Sequence, residues 1–88
     1  MAVGYVFTPM LDSPGNDIKI VLPGKTLAQI TAACNRKPFC VGFNSDGGLK
    51  FKILPTAQWV RWTDNPCLGF YTRNRRNALL IDLLALLM

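Results

Sequence analysis

Histidine and glutamate are both absent from the 88-residue chain, and each absence removes a class of chemistry. Without an imidazole there is no Ser-His-Asp triad, no Cys-His pair and no His-ligated metal. Without glutamate, the side-chain carboxylates are Asp12, Asp17, Asp46, Asp64 and Asp82. Most catalytic templates are therefore missing, and the residues predict a protein that is not an enzyme and holds no cofactor and no metal. Long apolar runs are also missing. The longest, residues 78–88, is interrupted by Asp82 and falls short of the ~18 to 20 residues of a membrane span. Residues 1–7 lack the charged start, apolar stretch and small-residue cleavage site of a signal peptide.

What remains is enough for one domain. At this length a chain buries only roughly 60 to 65% of the surface its unfolded form exposes, so a small core with an added staple is expected. Half the residues are hydrophobic, which excludes intrinsic disorder, and ten Lys and Arg against five Asp give a formal charge of +5. Three cysteines in so small a chain point to a secreted or cell-surface protein whose core is helped by a disulfide, with one thiol left over.

Composition divides the chain near residue 74. All six Pro and all seven Gly lie in residues 1–72, whereas residues 73–88 hold three Arg followed by Leu-rich sequence. The reading is a domain over 1–73 and a hydrophobic C-terminal helix over 74–88. Within the domain, residues 5–7 read as a strand and residues 12–17 as a turn, where Pro14 presets one dihedral and Gly15 and Asn16 tolerate positive φ. Residues 18–22 alternate Ile18, Ile20 and Leu22 with Lys19 and Val21, the period of a half-buried strand. Thr26 and Gln29 make a capping box, and Leu27, Ile30, Ala33 and Cys34 fall on one face of the helix that follows, which Asn35 and Pro38 stop. Residues 39–43 read as a buried strand. Residues 46–48 form a hairpin turn into 49–54, where Leu49, Phe51 and Ile53 alternate with Lys50 and Lys52 as the exposed face. Residues 59–62 and 68–72 are two further strands. This order predicts an α+β fold, an antiparallel sheet crossed by one helix.

Three pieces together resemble the PAN/apple family: Asp12-Ser13-Pro14-Gly15-Asn16-Asp17-Ile18, then Cys34 through Cys40-Val41-Gly42-Phe43-Asn44, then Gly48-Leu49-Lys50 with Cys67-Leu68-Gly69-Phe70-Tyr71. The chain is especially similar to a variant in microbial and algal secreted proteins, with a DSPGNDI-like turn and a C-x-G-F-N-x-x-G-x-L-K segment. The resemblance covers about residues 4–73. It implies a small curved antiparallel sheet of about five strands cradling one helix, which a Cys34–Cys40 disulfide pins to the central strand. Closing so short a loop contributes roughly 2 kcal/mol in the chain-entropy model. The cysteine of the last strand often joins one near the N-terminus in this family, but residues 1–33 contain none, so Cys67 is left free or bridges to another chain. Family members bind proteins or carbohydrates in adhesins, receptor ectodomains and clotting proteases, and are not catalysts.

Several residues carry both a chemical and a structural reading. Asp12, Asn16, Asp17 and Asp46 offer oxygen ligands for Ca²⁺, but their spacing is not that of an EF-hand loop, and turn chemistry accounts for them. Asn44 and Asp46 are candidate ligand contacts, although an Asn in an apolar strand more often satisfies loop backbone. Trp59 and Trp62, with Arg61 between them, offer flat faces for a sugar, a base or a protein partner. Three positions apart on a strand they would face opposite ways, leaving one exposed. Arg73, Arg75 and Arg76 read as a solvated basic linker that an anionic glycan, membrane surface or nucleic acid would also suit. Leu79, Leu80, Leu83, Leu84 and Leu87 lie on a helix apolar nearly all round, expected to pack between subunits, with peripheral membrane contact as another use. The functional expectation is an extracellular PAN/apple-type binding or adhesion module, a building block of a surface or filament assembly. A free-standing carbohydrate-binding, lectin-like domain and a small basic nucleic-acid-binding protein are the alternatives.

Overall fold

The computed structural model describes residues 3–20 and 25–74. Arg75, Arg76 and the interface positions Leu79, Leu80, Leu83, Leu84 and Leu87 lie outside the described residues. The elements run β1 (Tyr5–Pro9), β2 (Leu11–Asp12), β3 (Asp17–Ile20), α1 (Leu27–Asn35), β4 (Gly42–Asn44), β5 (Gly48–Lys50), β6 (Val60–Arg61) and β7 (Gly69–Arg73). Five strands form one antiparallel sheet in the order β1-β7-β4-β5-β3, and β2 pairs with β6 in a small second sheet. The fold is α+β, as the sequence predicts.

Helix α1 begins where the capping box places it. Thr26 N–H donates to Gln29 Oε1 (2.8 Å), and Gln29 N–H donates back to Thr26 Oγ1 (3.2 Å), so two otherwise orphaned donors are satisfied. Ile30 and Cys34 are buried, with Leu27 and Ala33 packed beside them. Against this stripe the sheet presents Phe43 and Leu49, both fully buried, with Tyr5 and Tyr71 at the margin. The rings of Tyr5, Phe43, Tyr71 and Phe7 form a continuous row with successive centroids 5.1, 4.8 and 4.7 Å apart. Cys34 and Cys40 are joined, their Cα atoms 5.3 Å apart, which ties the end of α1 to the segment entering β4.

Strand alternation then fixes what the opposite face carries. Because Phe43 and Leu49 point to α1, Asn44, Gly48 and Lys50 point away from it. Phe70 is on that far side too, and Trp59 covers it edge-on at 5.1 Å. The β2/β6 sheet packs over β7, and among the described residues the β4-β5-β3 half of the far face is left open.

Four expectations are corrected. The first concerns β3, an edge strand exposed along its whole length, with Ile18 and Ile20 at 36% and 64% accessibility where a half-buried strand is predicted. A bulge shifts its register: Asp17 pairs with Lys50, whereas Lys19 pairs with Leu49 and Ile20 with Gly48. Asp17 and Lys19 would share a face under strict alternation, and the bulge sends them to opposite faces. Second, Phe39 stands in the turn after Pro38 and is exposed, so the buried strand starts later, at Gly42. Third, Lys50 is buried and Phe51 exposed, the reverse of the expected alternation, because β5 ends at Lys50 and its ammonium finds oxygen partners inside the fold. The fourth is Arg73, which is no solvated linker residue. It closes β7 buried, and Nη1 donates to the carbonyls of Cys40 (2.8 Å) and Lys37 (3.2 Å), pinning the disulfide loop to the sheet.

Candidate functional site

The open half of the far face is a recess of about 330 Å³, whose walls include Asp12, Asp17, Ile20, Asn44, Asp46 and Lys50. Three segments meet there. The 13–16 turn forms one wall, with Gly15 and Asn16 at φ 77° and 58°, the left-handed region that Gly and Asn enter at least cost. The β4–β5 hairpin forms the floor. Asn44 Oδ1 accepts from the backbone N–H groups of Gly48 (2.9 Å) and Asp46 (3.1 Å), which holds the turn closed, and Asn44 Nδ2 donates to Asp12 Oδ1 (3.3 Å). Ile20, on β3, supplies an apolar edge.

Lys50 crosses between floor and wall. Its side chain is 3% exposed, and Nζ donates to Asp17 Oδ1 (2.7 Å) and to the Gly15 carbonyl (2.8 Å). A buried ammonium is tolerated when a carboxylate and a carbonyl replace its water. Asp17 is thereby neutralised by Lys50, while no cation pairs with Asp12 or Asp46 among the described residues. The recess presents carboxylate oxygens beside an apolar edge, an arrangement that accepts hydrogen bonds from hydroxyl groups. Gly48 keeps it open: a Cβ there would stand 3.1 Å from Asn44 Nδ2 and 3.2 Å from both Asn44 Oδ1 and Asp17 Oδ1. Among the described residues no cluster of His, Cys, Asp or Glu is arranged to hold a metal ion.

Of the residues singled out in the sequence, Asp12, Asp17, Asn44 and Asp46 lie in this recess, and Asn44 works chiefly as the clasp of the hairpin. Trp59, Arg61 and Trp62 are not among its walls. Trp59 Nε1–H donates to the Leu54 carbonyl (2.7 Å) while the ring rests on Phe70. Arg61 is exposed and pairs with Asp64 at 3.2 Å. Trp59 and Trp62 are both half-buried, not one in and one out, because β6 is only Val60–Arg61 and the two rings flank it. Sequence reasoning weighed Asp12 and Asp17 as oxygen ligands and settled on turn chemistry, and it placed Lys50 on an exposed strand face rather than in a site. A lysine in an otherwise apolar strand, with a DSPGND turn elsewhere in the chain to receive it, is the signal that was present.

Cys67 is a free, exposed thiol. Tyr71, four residues on, has its hydroxyl pushed above the ordinary 10.0, first by burial and then by the neighbouring Cys67. Tyr5 is likewise raised by burial, which the positive charge of Arg73 opposes, and its hydroxyl donates to Asn35 Oδ1 at 2.8 Å.

Comparison with known proteins adds one relation. The chain is 33% identical over 79 residues to a protein of Acanthamoeba polyphaga mimivirus named "Putative fucosyltransferase". The match takes in 86% of this chain and 13% of that protein, so the chain spans a small part of its relative's length. No family model and no solved structure matches. This relation corrects the expectation that the chain is not an enzyme: a sequence similar to it lies inside a protein named for glycosyl transfer. The missing His and Glu, on which that expectation rested, exclude particular catalytic templates and do not separate a chain from an enzyme that contains it.

Proposed function

We propose that this chain serves glycosyl transfer, as a PAN/apple-like segment that holds the saccharide acceptor of a glycosyltransferase. The observation that carries the reading is the match to the fucosyltransferase-named protein, which takes in most of this chain and 13% of its relative. A segment of that proportion, with its own helix, sheet and disulfide, fits a module that brings substrate to a larger catalytic body. The recess supports the same reading. Carboxylate oxygens of Asp12 and Asp46 suit sugar hydroxyls, and Ile20 offers an apolar edge to the C–H face of a ring. The Cys34–Cys40 disulfide favours an oxidising compartment, outside the cell or within a secretory lumen. Among the described residues no helix is long and apolar enough to cross a membrane.

A glycan array probed with the full chain and with Gly48→Ala and Asp46→Ala tests this. Retention on neutral saccharides by the parent, lost in both variants, is the expected result. Retention that survives both substitutions would remove the recess from the account.

A second reading, a building block of a surface assembly, is favoured by the two edge strands. Both β1 and β3 expose apolar side chains, Val6 at 58% and Ile20 at 64% accessibility, along edges that pair with no further strand among the described residues. Native mass spectrometry separates the two: a monomer that binds saccharide supports the first, and a concentration-dependent oligomer without saccharide binding supports the second.

A further inference from the structure

A second recess, of about 250 Å³, is lined by Lys19, Lys25, Gln29, Ala33 and Arg36. It lies on the helix side of β3, and the bulge creates it. Because Lys19 pairs with Leu49, whose side chain points to α1, Lys19 is turned to the same side. Without the register shift it would face the way Asp17 does, toward the acidic recess. From α1 come Gln29 and Ala33, and Arg36 is the C-cap residue that follows it, positions four and then three apart that form one stripe of the helix surface.

The chemistry of this lining is one-sided. Lys19, Lys25 and Arg36 are cations, and no carboxylate stands among them. The ion pairs among the described residues are Lys50–Asp17 and Arg61–Asp64, so no described carboxylate pairs with any of these three. Arg36 Nε donates to the Ala32 carbonyl at 3.3 Å, which lays the guanidinium along the helix and leaves its terminal nitrogens to meet a ligand. Gln29 Oε1 is occupied by the Thr26 N–H of the capping box, so the Gln29 side chain offers its Nε2 donors. Every polar side-chain group left over is a donor, and three are charged, which is the complement of an oxyanion.

We propose that this recess binds a phosphate or sulfate group carried by a ligand. The chain then has two binding faces of opposite character, an acidic one for hydroxyl groups and a cationic one for an oxyanion, set apart by the bulge in β3. This inference does not depend on the saccharide reading, since it draws on different residues and a different face.

The test uses the full ¹⁵N-labelled chain at low ionic strength, titrated with inorganic pyrophosphate and, separately, with sucrose octasulfate. Saturable shifts concentrated at the amides of Lys19, Lys25, Gln29 and Arg36 are expected. Lys25→Ala and Arg36→Ala should each weaken binding about two- to fivefold, while Lys52→Ala, the same loss of charge elsewhere on the surface, leaves it unchanged. Tighter binding of pyrophosphate assigns the recess to phosphorylated ligands and tighter binding of the octasulfate to sulfated ones. Shifts spread equally over Lys52 and Arg61, or Lys25→Ala and Arg36→Ala variants that bind as tightly as Lys52→Ala, would overturn the proposal.

Discussion

On its helix side the five-stranded sheet is held by apolar packing and a covalent bond: Phe43 and Leu49 beneath Ile30 and Cys34, the row of aromatic rings, and the disulfide to Cys40. On its far side the β4-β5-β3 half is held by hydrogen bonds, with Asn44 clasping the hairpin and Lys50 anchoring the 13–16 turn. Strand alternation makes the same five strands serve both. The difference teaches where stability and binding are separable. A substitution on the helix side should lower stability and leave a folded protein's ligand contacts intact, whereas exposed residues of the recess should alter binding at little cost in stability.

The largest break in this comparison comes at Phe43. Phe43→Ala removes a fully buried ring that touches Tyr5 and Tyr71, and should cost about 3 to 5 kcal/mol, read from urea unfolding. Next is the disulfide: replacing Cys34 and Cys40 together by Ala should cost roughly 2 kcal/mol and abolish the effect of reductant on the melting temperature. Asn44→Ala sharpens the comparison from the other side. It strands the N–H groups of Asp46 and Gly48 and should cost about 1.5 kcal/mol, with fast hydrogen exchange confined to the hairpin.

Tyr5→Phe is smaller, about 1 kcal/mol at neutral pH from the lost bond to Asn35, but it carries a pH signature. Burial raises the Tyr5 hydroxyl above 10.0 in the folded chain, so on alkaline titration the unfolded chain loses this proton first. The contribution is complete below pH 10.0 and fades as pH climbs through the raised folded value. Melts across that window should therefore fall less steeply for Tyr5→Phe than for the parent; equal slopes would show that Tyr5 is not the group responsible. Asp46→Ala should change stability least, within about 0.5 kcal/mol.

The parts of this architecture legible in the sequence are those set by near neighbours. The capping box of Thr26 and Gln29 and the buried stripe of α1 follow from spacing alone, and the hairpin after Asn44 from its turn residues. The bulge in β3 was not legible, because Asp17-Ile18-Lys19-Ile20 keeps a clean alternation and only pairing with β5 reveals the shift. Nor was the burial of Lys50, whose partners Gly15 and Asp17 are brought to it by the sheet. Phe39 misled for the opposite reason: an apolar residue beside a buried cysteine reads as strand, yet Pro38 and the short disulfide loop leave it facing water. Of the residues around the two recesses, Asp12, Asp17, Asn44 and Asp46 were singled out, while Lys19, Lys25 and Arg36 come together only through the register of β3.

Mapping a neutral saccharide onto the folded chain tests the central claim most directly. With the ¹⁵N-labelled protein and the saccharide best retained on the array, amide shifts should saturate at Asp12, Asp46, Gly48 and Lys50, with the cationic recess unmoved. Shifts gathered instead at Trp59, Arg61 and Trp62, or no saturable shift at all, would contradict the assignment of the recess as the saccharide site.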